Sequence, residues 1–101
     1  MKPTTLHEDA EAELCQALEY YAGQRPGLDG EFRREFEEAL KRIRENPLTY
    51  AVEDDDGVRY CPLRRFPYTL VYVDLNDCVW VAAMAHQHRR PRYWAIRRPS
   101  V

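Results

Sequence analysis

Residues 69–86, TLVYVDLNDCVWVAAMAH, decide how this chain folds. Thr69 to Leu75 is β-branched and aromatic, the composition of a strand. Asn76-Asp77 is a tight turn, made from residues whose short polar side chains bond their own backbone. Val79 to His86 then alternates as a second strand. Trp80, Ala82, Met84 and His86 fall on one face, and Val79, Val81, Ala83 and Ala85 on the other. Both faces are apolar, so this strand is expected to be central in its sheet. Upstream, Val58 to Leu63 reads as a third strand, separated from the Thr69–Leu75 strand by the break at Phe66-Pro67-Tyr68. It follows Asp54-Asp55-Asp56-Gly57, a solvated turn in which Gly57 supplies positive φ. The three aspartates do not alternate as calcium ligands do in an EF-hand loop. Position 65, where that loop would end in glutamate, is Arg.

Before residue 50 the period changes from two to between three and four. Ala10, Leu14, Leu18 and Tyr21 form one apolar stripe, so a helix is expected from Glu8. Glu8, Asp9, Glu11 and Glu13 crowd its first turns, where the helix dipole favours anions. Gly23 and Arg25-Pro26-Gly27 are expected to end it. A second helix starts near Leu28, with Asp29 as the expected N-cap. Its stripe is Phe32, Phe36, Ala39, Leu40 and Ile43. Arg33–Glu37, Arg34–Glu38 and Glu38–Arg42 are spaced for ion pairs on its polar face. Asn46-Pro47 stops it. Residues 2–7 carry a weak signal for a first, edge strand. The expected fold is α+β: an N-terminal helical hairpin packed on one face of a small antiparallel β-sheet, because the helices must bury their stripes there.

A chain of 101 residues reads as a single domain, 1–101. A domain of this size buries roughly 60–70% of the surface its unfolded chain exposes, enough for one core. No apolar run approaches the roughly 20 residues of a membrane span. The N-terminus lacks the apolar stretch of a secretory signal, which points to the cytoplasm. Cys15, Cys61 and Cys78 are an odd, sparse set, neither a disulfide framework nor a zinc site. Charge is the informative quantity. Residues 1–56 hold 7 Lys/Arg and 15 Asp/Glu, a net of −8, whereas residues 57–101 hold 8 Arg and 2 Asp, a net of +6. Such a split suits an anionic partner on the C-terminal half, or the two halves neutralise each other within the fold.

Two segments concentrate the basic residues. In Arg64-Arg65-Phe66-Pro67-Tyr68, two arginines beside a kink could dock an acidic peptide or a phosphate, or Phe66 could simply plug the core. The tail from His86 to Arg98 interleaves arginine with rings: His86, His88, Arg89, Arg90, Arg92, Tyr93, Trp94, Arg97 and Arg98. RNA-binding surfaces use this mixture, with Arg on phosphate and aromatics on bases. His86, His88 and Tyr93 are candidate acid–base groups. The bland alternative is that Tyr93 and Trp94 fold back on the sheet while the arginines pair with acidic helices. His86-x-His88 is too sparse to claim a metal, and nothing suggests a cofactor.

Taken in order, these segments resemble the RelE/ParE toxin superfamily of bacterial type II toxin–antitoxin systems. They are Ala10-Glu11-Ala12-Glu13-Leu14 with Tyr20-Tyr21, the helix from Leu28 through Phe32 to Ile43, Asn46-Pro47 with Tyr50, Arg64-Arg65-Phe66-Pro67-Tyr68, Val71-Tyr72, and His86-x-x-Arg89-x-Pro91-x-Tyr93-Trp94 followed by Arg97. The likeness is strongest to the ParE-like, plasmid-stabilisation branch. It implies a helical hairpin on an antiparallel sheet and a growth-inhibiting toxin that forms a hetero-oligomer with a cognate antitoxin. ParE-like members poison DNA gyrase and are not nucleases. RelE-like members cut mRNA on the ribosome. The absence of lysine after Lys41 and the Tyr93-Trp94 ending favour the former. Under that reading Arg64, Arg65, Arg89, Arg92, Trp94 and Arg97 bind antitoxin or target. Under the nuclease alternative His86, Arg89 and Tyr93 are catalytic and Arg64 and Arg65 hold phosphate. A third reading is a harmless interaction module on the same fold.

Overall fold

The computed structural model describes residues 2–99. Its elements are β1 (Thr4–Leu6), α1 (Glu8–Gln24), α2 (Leu28–Glu45), β2 (Val58–Pro62), β3 (Tyr68–Asp74) and β4 (Val79–His86). The sheet order is β1-β4-β3-β2. β2, β3 and β4 form the expected meander. The weak N-terminal strand exists, but it pairs parallel to β4, with Thr4 opposite Val79, so the sheet is mixed and not purely antiparallel. The reason is topological: between β1 and the meander the chain must cross one face as the helical hairpin.

The hairpin forms as its stripes require. Ala10, Ala17 and Tyr21 of α1 and Phe32, Phe36, Ala39 and Ile43 of α2 are buried. They meet Cys61, Phe66, Leu70, Tyr72, Val79, Val81 and Met84. Tyr21, Phe32 and Phe66 make an aromatic centre, with ring centroids 4.9–5.3 Å apart. Phe66 is therefore the core plug. α1 starts on His7, whose Nδ1 accepts the Asp9 N–H at 3.0 Å, and it runs past Gly23 to Gln24. α2 is capped by Gly27 at φ +87° and not by Asp29, which sits inside the first turn. Reversing the chain between the two helices requires a left-handed residue, and glycine adopts that conformation without strain. The three ion pairs expected on α2 do not form. Lys41–Glu45 at 3.9 Å takes that role, and both side chains are largely solvated. Gly57 has the expected positive φ, +80°.

β4 departs from simple alternation. Val71 pairs with Ala83 but Tyr72 pairs with Val81, leaving Ala82 as an extra residue. Such a bulge re-phases everything beyond it. Val79, Val81 and Met84 face the helices, whereas Trp80, Ala82, Ala83 and Ala85 face away. Trp80 and His86, read from the sequence as sharing a face, are separated by the bulge. His86 stands beside Tyr68, ring centroids 5.0 Å apart, next to Tyr21 and Met84.

Candidate functional site

Beyond His86 the chain turns back across the face of the sheet that the helices leave open. Gln87 N–H donates to Pro67 O, and Arg89 N–H donates to His86 O. Successive turns follow, closed by Tyr93 N–H to Arg90 O, Ala95 N–H to Arg92 O and Arg97 N–H to Trp94 O. The segment acts as a strap. Its bolt is Trp94, only 8% exposed, packed with Val58, Val71 and Trp80 and 5.8 Å from the Tyr60 ring.

Each end of the strap is tied by an ion pair. On the β2 side, Arg92 adopts φ +61° and donates to Asp54 at 2.6 Å. Asp54 also accepts the N–H groups of Asp56 (2.9 Å) and Val58 (3.1 Å). Burial pushes its carboxyl pKa up, but the Val58 N–H and the Arg92 guanidinium outweigh that and hold it below the ordinary value. The aspartate turn is thus no merely solvated loop: Asp54 anchors the strap.

On the other side β1 ends opposite Val81, and the outer edge of β4 continues without a strand. Two side chains cap it. Arg97 donates to Ala82 O at 2.9 Å, and Glu13 of α1 accepts the Met84 N–H at 3.1 Å. The same two side chains pair at 2.9 and 3.0 Å, each only 11% exposed. The Tyr93 hydroxyl also donates to Glu13, at 2.7 Å. Burial, and then that bond, push the phenol pKa well above its ordinary value. Unpaired strand edges invite further pairing, and side chains of this kind blunt them.

The remaining candidates divide in two. Arg89 forms no ion pair among the described residues. Its guanidinium carbon lies 4.0 Å from the Tyr93 ring centroid. With His86, Tyr20 and Tyr68 it lines a cleft of about 500 Å³ between α1 and the sheet. Arg64 and Arg65 lie elsewhere, against α2. The backbone N–H groups of both donate to Glu35, and the Arg65 guanidinium reaches Glu35 at 3.3 Å and Glu31 at 3.0 Å. Burial raises the Glu35 carboxyl pKa, but the two N–H groups and the guanidinium outweigh it and leave it depressed. Among the described residues no group of three His, Cys, Asp or Glu is placed to hold a metal ion.

The structure thus brings Arg89, Tyr93 and Arg97 together, with His86 nearby and Arg92 and Trp94 along the same strap. Three organising carboxylates escaped sequence reading: Glu13, Asp54 and Glu35. Glu35 alone had a visible signal, since it falls among Phe32, Phe36 and Ala39 on the apolar stripe.

Comparison with known proteins bears on this arrangement. The family described as ParE toxin of type II toxin–antitoxin system, parDE, matches residues 5–91. A solved structure titled as the chromosomal ParDE TA system from P. aeruginosa has the same fold. It superposes with a TM-score of 0.73 at 17% identity, over 85% of this chain and 96% of that one. Among curated proteins none matches.

Proposed function

The chain belongs to the ParE toxin family of type II toxin–antitoxin systems, and from that membership we propose that it inhibits growth through DNA gyrase and is silenced by a cognate antitoxin. The antitoxin binds the strapped face of the sheet, through an acidic segment that answers Arg89 and Arg98. The helical hairpin on the opposite face is the scaffold and the gyrase-facing surface. The protein works in the cytoplasm, where both partners are found.

One observation carries the preference for a binding toxin over a nuclease. Of the groups the nuclease reading names, Tyr93 and Arg65 are already committed, and the neighbouring Arg92 and Arg97 are paired as well, while Arg89 keeps no ion pair among the described residues. The Tyr93 hydroxyl is donated to Glu13, and burial keeps it protonated, so it is no base near neutral pH. Arg97 is neutralised by the same carboxylate, Arg65 by Glu31 and Glu35, and Arg92 by Asp54. A phosphate in the transition state would find these cations occupied.

The test uses purified protein with two substrates. With gyrase and supercoiled plasmid, the toxin should yield linear DNA after detergent and protease treatment. With ribosomes and a defined message, primer extension should show intact mRNA. Cut message and untouched gyrase would replace this reading with the nuclease one. Harmless overexpression without antitoxin, with neither activity, would leave only an interaction module.

A further inference from the structure

The strap does not close on the sheet along its whole length. An open groove of about 220 Å³ remains beside it, floored by Val58, Val73, Trp80 and Ala82, walled by Trp94 and rimmed by Arg98. We propose that this groove is an anchor pocket for a single large apolar side chain of the partner, seated beside a carboxylate that pairs with Arg98. The proposal rests on the antitoxin reading above and adds the chemistry by which that partner is recognised.

Size sets the first limit. A cavity of roughly 150 Å³ with apolar walls holds a benzene ring. A groove of about 220 Å³ therefore takes one aromatic or leucine-sized side chain, not a helix. Its apolar floor rewards such an occupant in the way buried anchors dominate interfaces. The Trp94 indole N–H adds a polar requirement. It is buried and has no acceptor among the described residues. A buried donor left unpaired costs about 1–3 kcal/mol.

Charge sets the last limit. Three arginines, Arg92, Arg97 and Arg98, line the groove together with Asp54 and Asp56, and both aspartates lie on the Arg92 side. Arg92 is taken by Asp54 and Arg97 by Glu13. Among the described residues Arg98 donates only to carbonyl oxygens, those of Ala95 at 2.7 Å and Arg97 at 2.9 Å. It is exposed and can turn to an incoming carboxylate. A nucleic-acid backbone fits less well, because a single cation without an ion pair among the described residues, at an apolar slot, offers no track for successive phosphates.

The two tryptophans of the chain both line this groove, so their indole N–H resonances in ¹⁵N-labelled full-length protein report on it directly. The probes are acetyl-Phe-Glu-amide, acetyl-Phe-Lys-amide, acetyl-Ala-Glu-amide and a short single-stranded oligonucleotide. The expected result is a saturable shift of the Trp94 indole with the Phe-Glu probe, and at least tenfold weaker response to each of the others. Arg98→Glu should reverse the preference toward Phe-Lys. Ala82→Leu, which fills the floor, should abolish the response. Should the bulge not tolerate that change, Val73→Phe fills the groove from a half-exposed position. Equal response to Phe-Glu and Phe-Lys, a stronger response to the oligonucleotide, no response at all, or indifference to filling would each overturn the proposal. Growth inhibition in cells is scored separately. Its absence would sink the toxin reading and leave the peptide result standing.

Discussion

At the residue scale, Glu13 does most to join the two halves of the chain. Its carboxylate takes the Met84 N–H, the Tyr93 hydroxyl and the Arg97 guanidinium, linking α1, the β4 edge and the strap. Removing it strands a guanidinium that is 11% exposed, with only Asp9 at 3.8 Å nearby. Breaking one partner of a buried pair costs about 3–5 kcal/mol. Glu13→Ala should lower the unfolding free energy by that amount, read as a lower urea midpoint at unchanged slope, and a loss under 1 kcal/mol would mean the clasp is slack. Tyr72 supplies a second residue-scale test. It is fully buried, donates to Pro47 O at 2.8 Å, and its pKa is raised to about 12, chiefly by burial. The unfolded chain ionises this phenol near pH 10, the folded chain only near 12. The neutral phenol therefore favours the folded state fully below pH 10, and that contribution is lost as pH rises toward 12. Unfolding midpoints should fall across that window, and Tyr72→Phe should shallow the fall.

At the element scale, the strap behaves as a removable cover. It has no helix or strand of its own and is held by Trp94 and the two end ties. Its turns place Trp94 on the sheet, so the indole stands in for the second helical layer that this face lacks. Trp94→Ala should cost about 3–5 kcal/mol by the usual measure of a lost buried aromatic. Its signature is local: trypsin should cut after Arg89 and Arg92 well before it cuts within α2. Simultaneous cleavage of both regions would show that strap and core unfold as one unit. The β4 bulge belongs to the same scale. By adding Ala82 it exposes the carbonyl that Arg97 binds and turns Met84 toward the helices. It thereby sets where the strap can be tied.

At the scale of the whole molecule, the division of charge along the chain becomes a set of cross-links. Arg65 pairs with Glu31 and Glu35, Arg92 with Asp54, and Arg97 with Glu13, so basic residues from the second half meet acidic residues from the first. How much of this was legible follows from the range of each signal. The apolar periods of residues 10–43 and 58–86 are local, and they predicted both helices and the meander. The resemblance through Arg64–Tyr68 and His86–Trp94 pointed to the right family. The parallel pairing of β1, the phase shift at Ala82 and the capping of the β4 edge by Glu13 depend on residues up to 84 positions apart. No window of neighbouring residues contains them. Gly27 replaced Asp29 as the cap because the inter-helix turn, and not the helix, chose the residue. The cross-links also fix the response to acid. The carboxyls of Glu31, Glu35 and Asp54 are all held below their ordinary values by guanidinium and N–H donors. A depressed carboxyl stabilises the folded state above its unfolded pKa of about 4, and loses that contribution as pH falls through the folded value. Stability should therefore be flat from pH 7 to 5 and fall steeply from about 4.5 downward. Glu35 contributes more than half-buried Glu31, because it is 9% exposed and holds the Arg64-Arg65 turn against α2. Glu35→Gln should lower stability at pH 7 and shrink the difference between pH 7 and pH 3. If urea midpoints for the two proteins run parallel over that range, acid unfolding is driven by other carboxylates and the turn is held by Phe66 alone.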